Sequence, residues 1–189
     1  MPRWGPDADD RLYRSAMQLI FERGYDEVTV AEIAEHAGLK KRSFFRHFAD
    51  KREVLFAGAA DFEHAIVEAV RAAAPTAKPI DAVMSALAQG GARLADWGEP
   101  VRQRQHIIAA STELRERELI KMDALAATIA GALRDRDVED LTAALVAKVS
   151  LATFTTAFQL WTQAEQGQDF LAVMDAAHVR LRTAICDQD

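Results

Sequence analysis

The residues best placed to do chemistry form a cluster of cations. Lys40, Lys41, Arg42, Arg46, Lys51 and Arg52 stand within residues 40–52, interleaved with Phe44, Phe45 and Phe48, and Asp50 is the only acid among them, a local balance of +5. A basic patch of this density attracts a polyanion, and its aromatics offer apolar contact to sugars or base methyls. The whole chain nevertheless carries a net charge of -6. Residues 1–52 hold ten Lys/Arg against nine Asp/Glu, whereas the other 137 residues hold 13 against 20. A docking polyanion responds to local sign within a Debye length of about 8 Å, so the patch matters more than the total.

Other chemistries find little support. There is no GxSxG, no phosphate-binding P-loop and no GxGxxG after a strand. His36, His47, His64, His106 and His178 fall into no metal-ligand spacing. We therefore expect no catalytic residues, no metal, no cofactor and no enzyme activity. Cys186 is the only cysteine, which excludes an intrachain disulfide and fits a reducing compartment. "MPRWGPDADD" has no apolar leader segment, and no apolar run approaches the roughly 18 residues of a membrane span. A cytoplasmic protein without a membrane partner is the expectation. At 189 residues, half of them apolar, the chain can form one medium domain or a small domain joined to a larger one.

The elements that position the patch read as helices, with Ala, Leu, Glu, Arg and Gln dominating and no alternating strand pattern. A first helix spans about 9–23, with Leu12, Ala16, Leu19 and Ile20 on one face and Gly24 as its stop. Thr29 and Glu32 have capping-box spacing and open a second helix that Gly38 ends. Leu39 follows as an apolar plug, and a third short helix covers about 41–47. Asp50, with Glu53 at the matching position, caps a long fourth helix over about 51–73. Five more are expected, over about 80–96, up to 110, 112–134, 138–166 and 169–186. "PTAKP", "WGEP" and "RDRDVED" provide the breaks. The fold class is thus all-α, a three-helix head followed by a larger bundle, about nine helices in total.

The second and third helices have the requirements of a helix-turn-helix: small Ala34 where the helices touch, Gly38 for the turn and Leu39 as anchor. In such units the second helix enters the major groove. Lys40, Lys41 and Arg42 oppose the macrodipole at that helix's N-terminus, a cost of a few tenths of a kcal/mol each that a nearby phosphate or base edge offsets.

The stretch "TVAEIAEHAGLKKRSFFRHFADKREVLF", preceded by "AMQLIFERGYDE", resembles the DNA-binding domain of the TetR family of bacterial transcriptional regulators over about residues 9–56. The resemblance implies a homodimeric all-helical repressor, with a DNA-binding head over residues 1–50 and a ligand-binding and dimerisation body over 51–189. By position, Thr29 corresponds to a cap that commonly contacts phosphate. Lys40, Lys41, Arg42, Ser43 and Phe44 occupy base- and backbone-reading positions, and Phe45 stands where the family usually has a phosphate-binding Tyr. His47 and Lys51 stand at usual phosphate-contact positions. Lys40 replaces a common Ser and Arg42 a common Gly; Arg42 could reach a guanine bidentately. Phe44 could equally touch a thymine methyl or pack inside.

For the body, Met84, Trp97, Met122 and Phe158, with His64, Gln103 and His106 as polar handles, are the expected lining of a pocket for a small, largely apolar effector. Leu145, Phe154, Trp161, Met174 and Leu181 are the expected dimer contacts, because the last two long helices carry apolar residues on more than one side. A two-fold dimer would set two recognition helices about 34 Å apart for a palindromic double-stranded operator. A ligand entering among the fifth to eighth helices would tilt the fourth and change that spacing. The alternative is a helical protein–protein interaction module whose helix-turn-helix is non-functional.

Overall fold

The computed structural model describes residues 8–164 and 167–186, which form ten helices and no strand. In chain order they are α1 (Ala8–Arg23), α2 (Val30–His36), α3 (Lys41–His47), α4 (Lys51–Leu55), α5 (Ala59–Arg71), α6 (Pro79–Ala95), α7 (Glu99–Ala110), α8 (Thr112–Arg134), α9 (Asp140–Gln163) and α10 (Phe170–Cys186). The expected fourth helix is broken in two: the chain leaves the helix at Phe56 (φ -105, ψ 17) and passes through Gly58 at φ +81 before α5 begins. Of the eighth helix expected to reach 166, residues 165–166 lie outside the described ones, as do the first seven residues read for a leader.

Two compact units result. The first comprises residues 1–59 with 103–118, the second residues 60–102 with 119–189. The division falls after Ala59, and 103–118 group with the helices of the N-terminal part.

The first unit is built on one apolar cluster. Leu12, Ala16 and Ile20 of α1, Ile33 and Ala34 of α2 and Phe44 of α3 pack together with Val54 and Leu55 of α4. Ile107, Ile108 and Leu114, from α7 and the start of α8, complete it. Each such side chain contributes about 1.5–3 kcal/mol when fully buried. α2 has the expected capping box: the Thr29 hydroxyl accepts from the Glu32 N–H at 3.3 Å, and Glu32 accepts from the Thr29 N–H at 2.8 Å. α2 ends in a left-handed turn at Gly38 (φ +69), where the Leu39 N–H reaches the Ala34 carbonyl at 2.8 Å and the Gly38 N–H reaches Glu35 at 2.9 Å. This pair of bonds satisfies two of the last carbonyls and sets the entry into α3.

In the second unit α6, α9 and α10 lie closest together. Small residues on α9 (Ala143, Ala147, Ser150, Ala157) are buried and allow that approach. An aromatic cluster of Phe62, Phe154, Phe158, Trp161 and Phe170 fills the end of the bundle, with neighbouring ring centres 5.7–6.1 Å apart. Gly91 makes room for it, since a Cβ there would stand 2.3 Å from the Phe170 ring. α9 alone among the described helices is long and apolar enough to cross a membrane, with a mean hydropathy of 1.5 over its best window. This differs from the expectation of no membrane-length apolar segment. Its inner face is spent on this bundle, where Leu151, Phe154, Phe158 and Trp161 are buried.

Three arginines close helix ends whose carbonyls would otherwise lack partners. Within the first unit Arg104 Nε donates to the Leu55 carbonyl at 2.7 Å, ending α4. Within the second, Arg102 Nη1 donates to Trp161, Thr162 and Ala164 at 2.7–2.9 Å, ending α9. Arg136 does the same for α5 through Val70, Ala73 and Ala74 at 2.6–3.1 Å.

Candidate nucleic-acid interface

The helix-turn-helix divides the basic cluster into two groups with different duties. Lys40, Lys41, Arg42 and Arg46 are exposed, and none forms an ion pair or side-chain hydrogen bond among the described residues. Elsewhere in the first unit Arg14, Arg23, Arg52 and Arg117 are each paired with a carboxylate, of Asp10, Glu32, Asp50 and Glu53 respectively. These four cations all lie on or immediately before α3, whose opposite side is anchored by Phe44; Arg11 of α1 is likewise exposed and without an ion pair among the described residues, but stands alone. Arg46 was not among the expected contacts; its spacing of i+4 from Arg42, which puts both on one face, was the available signal.

Lys51 and Arg52 have structural work. Lys51 Nζ donates to the carbonyls of Tyr25 and Val28 at 2.8 and 3.0 Å, and so holds the α1–α2 turn against α4. Arg52 Nη2 meets Asp50 at 2.6 Å, and this hydrogen bond holds the Asp50 carboxyl below the usual range. Asp50 in turn accepts from the N–H groups of Arg52 and Glu53 at 2.8 and 3.1 Å, capping α4. Burial raises the Tyr25 phenol well above its ordinary pKa, so it is neutral beneath the Lys51 ammonium.

The remaining expected contacts separate by geometry. Phe44 is fully buried, which removes it from the reading face; its ring packs on Phe48, 5.5 Å between centres. Phe45, one residue on, is 51% exposed and can meet a backbone. Ser43 is half-buried on α3. The Thr29 hydroxyl, besides accepting within the capping box, approaches Glu32 Oε2 at 2.7 Å. That contact, with further help from the Thr29 N–H and Arg23, holds the Glu32 carboxyl at a pKa of about 2. His47 pairs through Nδ1 with Asp9 of α1. Thr29 and His47 reach a phosphate only by sharing or exchanging these partners.

The expected effector residues divide between the two units. Gln103 and His106 fall in the first unit, the other five in the second. Trp97 is 55% exposed, and His64 and His106 are exposed. Met84 and Phe158 are buried core residues, and Met122 is half-buried against that core. Of the expected dimer contacts, Phe154, Trp161 and Met174 are interior to one chain at 2–5% exposure. Only Leu145, at 55%, presents a free apolar side chain, and Leu181 is intermediate. The exposed apolar residues of the last two helices are instead Leu141, Leu145 and Leu160 on α9 and Leu171, Val179 and Ile185 on α10.

Comparison with known proteins agrees with this arrangement. Residues 12–57 match the family model "Bacterial regulatory proteins, tetR family", and residues 77–185 match that of the MftR C-terminal domain. A stretch of 77 residues, 41% of the chain, is 35% identical to the HTH-type transcriptional regulator TcmR of Streptomyces glaucescens and spans only about a third (34%) of that protein's length. Among solved structures, the fatty acid degradation regulator FadR of Bacillus halodurans superposes with a TM-score of 0.65 at 18% identity, over 95% of this chain and 96% of that one. The FadR repressor of Thermus thermophilus, solved with lauroyl-CoA, gives 0.60 at 21% identity over 96% of both chains. With both halves of the chain matched and the helix-turn-helix in place, the protein belongs to the TetR family of bacterial transcription regulators.

Proposed function

We propose that this regulator is a ligand-responsive repressor that binds a palindromic operator as a homodimer and is released by a small, largely apolar effector. The observation that carries the DNA-reading part is the set of four exposed cations, unpaired among the described residues, on or immediately before α3. An acidic chain has carboxylates to spare for pairing them and leaves them free. A duplex supplies the missing partners: phosphates for Lys40 and Lys41, and base edges for Arg42 and Arg46.

Homodimerisation is supported by the exposed leucines of α9 and the apolar residues of α10, which one chain leaves uncovered. A two-fold axis beside them buries both stripes at once. Release by an effector is supported by the acyl-CoA-bound relative among the similar folds. Effector binding among α6–α9 would favour one spacing of the two heads, with a coupling of typically about 1–3 kcal/mol. In this reading DNA recognition belongs to the first 50 residues, and ligand binding and dimerisation to the rest.

The test is selection of duplex DNA from a random pool, followed by affinity of the winning sequence against salt. A palindrome with a steep salt slope is the expected result. Absence of any enriched sequence, with no binding at low salt, would overturn the reading and leave a protein-interaction module.

A further inference from the structure

α4 is five residues long and follows α3 after only Phe48, Ala49 and Asp50. A helix of that length does not persist by itself in water, so its place is set by whatever holds it. Asp50 caps its N-terminal end. Its other polar anchors come from residues 103–118, distant in the chain but part of the same unit. Arg104 Nε donates to the Leu55 carbonyl at 2.7 Å, and its guanidinium carbon lies 5.1 Å from the Phe56 ring centre. Arg117 Nε donates to Glu53 Oε1 at 2.5 Å, and Arg52 Nε reaches Glu113 at 3.4 Å. Ile107, Ile108 and Leu114 share one apolar cluster with Val54, Leu55 and Phe44, the residue that anchors α3.

We infer that Arg104 and Arg117 are positioning residues for operator reading: they hold α4, and through it the recognition helix, in the placement that fits the groove. The inference rests on the DNA-reading role of α3 proposed above and extends it to residues well beyond the first 50. Capping alone explains Arg104 poorly. Arg102 and Arg136 each bond three terminal carbonyls, of helices 24 and 13 residues long. Arg104 bonds one carbonyl, of a helix too short to carry much dipole. Burial pushes its guanidinium below the ordinary pKa, with Tyr13 and Glu118 opposing, and no carboxylate pairs with it among the described residues. A desolvated cation with a single carbonyl bond adds little net stability. What the bond does is fix the C-terminal end of α4. Neither arginine lies on α3, and neither needs to touch DNA for this role.

The test compares Arg104→Met and Arg117→Met with Arg136→Met, which removes three carbonyl bonds in the second unit. Each protein, held well below its melting temperature, is titrated with the selected operator and with a duplex of unrelated sequence. Arg104→Met is expected to lose at least about tenfold in operator affinity, with non-specific affinity kept within about twofold and the salt slope unaltered, because no phosphate contact is removed. Arg117→Met should lose about threefold in the same way, as for a part-exposed ion pair. Arg104→Lys keeps a cationic donor for the Leu55 carbonyl and should recover most of the loss. Arg136→Met should melt earlier yet bind the operator as before. A merely structural role lowers both affinities together through the folded fraction; that outcome overturns the inference, as does an unchanged operator affinity. An unsubstituted protein that prefers no sequence counts instead against the operator reading. Amide hydrogen exchange of the DNA-free chain decides the positioning claim in that case, and also where Arg104→Met folds poorly. In Arg117→Met the α3 and α4 amides should exchange faster while those of α1 stay protected. Unchanged protection of α3 and α4 would sink the proposal.

Discussion

Lys51 sits over Tyr25: its ammonium lies 4.0 Å from the ring centre and donates to the Tyr25 main-chain carbonyl at 2.8 Å. A second bond, to Val28 at 3.0 Å, closes the strap. A cation so engaged contributes to the fold of the head more than to phosphate binding. Lys51→Met is expected to destabilise the protein by about 1–3 kcal/mol, the range of hydrogen bonds to a charged group plus a cation–π contact. Chemical denaturation measures that loss. The slope of log affinity against log salt should stay as in the unsubstituted protein; a slope reduced by about one unit would instead make Lys51 a phosphate contact.

The opposite pattern is expected at Lys41 and Arg46, both exposed and unpaired among the described residues. Replacing either with Ala should leave stability within about 0.5 kcal/mol, as for surface positions generally. Lys41→Ala should lower the salt slope by about one unit, whichever operator is used. Arg46→Ala should relax base preference at one operator position, which binding to a set of single-base operator variants would show.

Adjacent phenylalanines on α3 should behave differently because one points in and the other out. Phe44 is 0% and Phe45 51% exposed. Phe44→Ala is expected to cost about 3–5 kcal/mol of stability, whereas Phe45→Ala should be near neutral to folding. Phe45→Tyr adds a hydroxyl where regulators of this family usually carry one. It should tighten DNA binding by roughly fivefold, corresponding to a net hydrogen bond of about 1 kcal/mol. Unchanged operator affinity for Phe45→Tyr would place no phosphate within reach of that ring.

What was legible in the sequence is what depends on neighbours in the chain. The Thr29–Glu32 box and the Ala34–Gly38–Leu39 turn are local, and each appears as expected. The break between α4 and α5 was not legible, because "LFAGAA" sets one glycine among good helix formers. The strap made by Lys51 was not legible either, because its carbonyl partners lie 23 and 26 residues away. α9 posed a different difficulty: apolar residues occur all round it, so periodicity alone does not say which side faces in. Leu145 and Phe154 are nine residues apart, about half a turn around the helix axis, and fall on opposite sides. Trp161, seven residues beyond Phe154, comes back to the buried side with it.

Glu32 makes acid stability a test of the α2 cap. Its carboxyl is held at about 2 in the fold against an ordinary value of 4.5, chiefly by its hydrogen bond with Thr29. A depressed carboxyl stabilises the fold above the ordinary value, and that contribution disappears as pH falls towards the folded one. The capping contribution should therefore be complete above about 4.5 and fade between there and about 2. NMR titration of the Glu32 side chain should give a midpoint near the lower value. Glu32→Gln should flatten the pH dependence of stability across that window. A midpoint near 4.5 would show that the box does not persist in solution.

The exposed face of α9 supplies the test of dimerisation. Leu141 and Leu145 are 65% and 55% exposed and lie four residues apart, on one side of the helix. A charge placed there costs little in a single chain, because both side chains already meet solvent. In a two-fold interface the same charge must be desolvated, and an isolated buried charge is expensive. Leu145→Glu is therefore expected to raise the dimer dissociation constant by at least about tenfold, equivalent to about 1.4 kcal/mol, in sedimentation equilibrium. The melting of the separated chain should be unaffected. Affinity for a palindromic duplex should fall with the dimer, while affinity for a half-site should not change. Phe154→Ala serves as the contrast: Phe154 is 5% exposed inside the aromatic cluster, so its loss should lower stability by about 3–5 kcal/mol. A Leu145→Glu protein that remains dimeric would move the interface off this face of α9 and leave its leucines without an assigned partner.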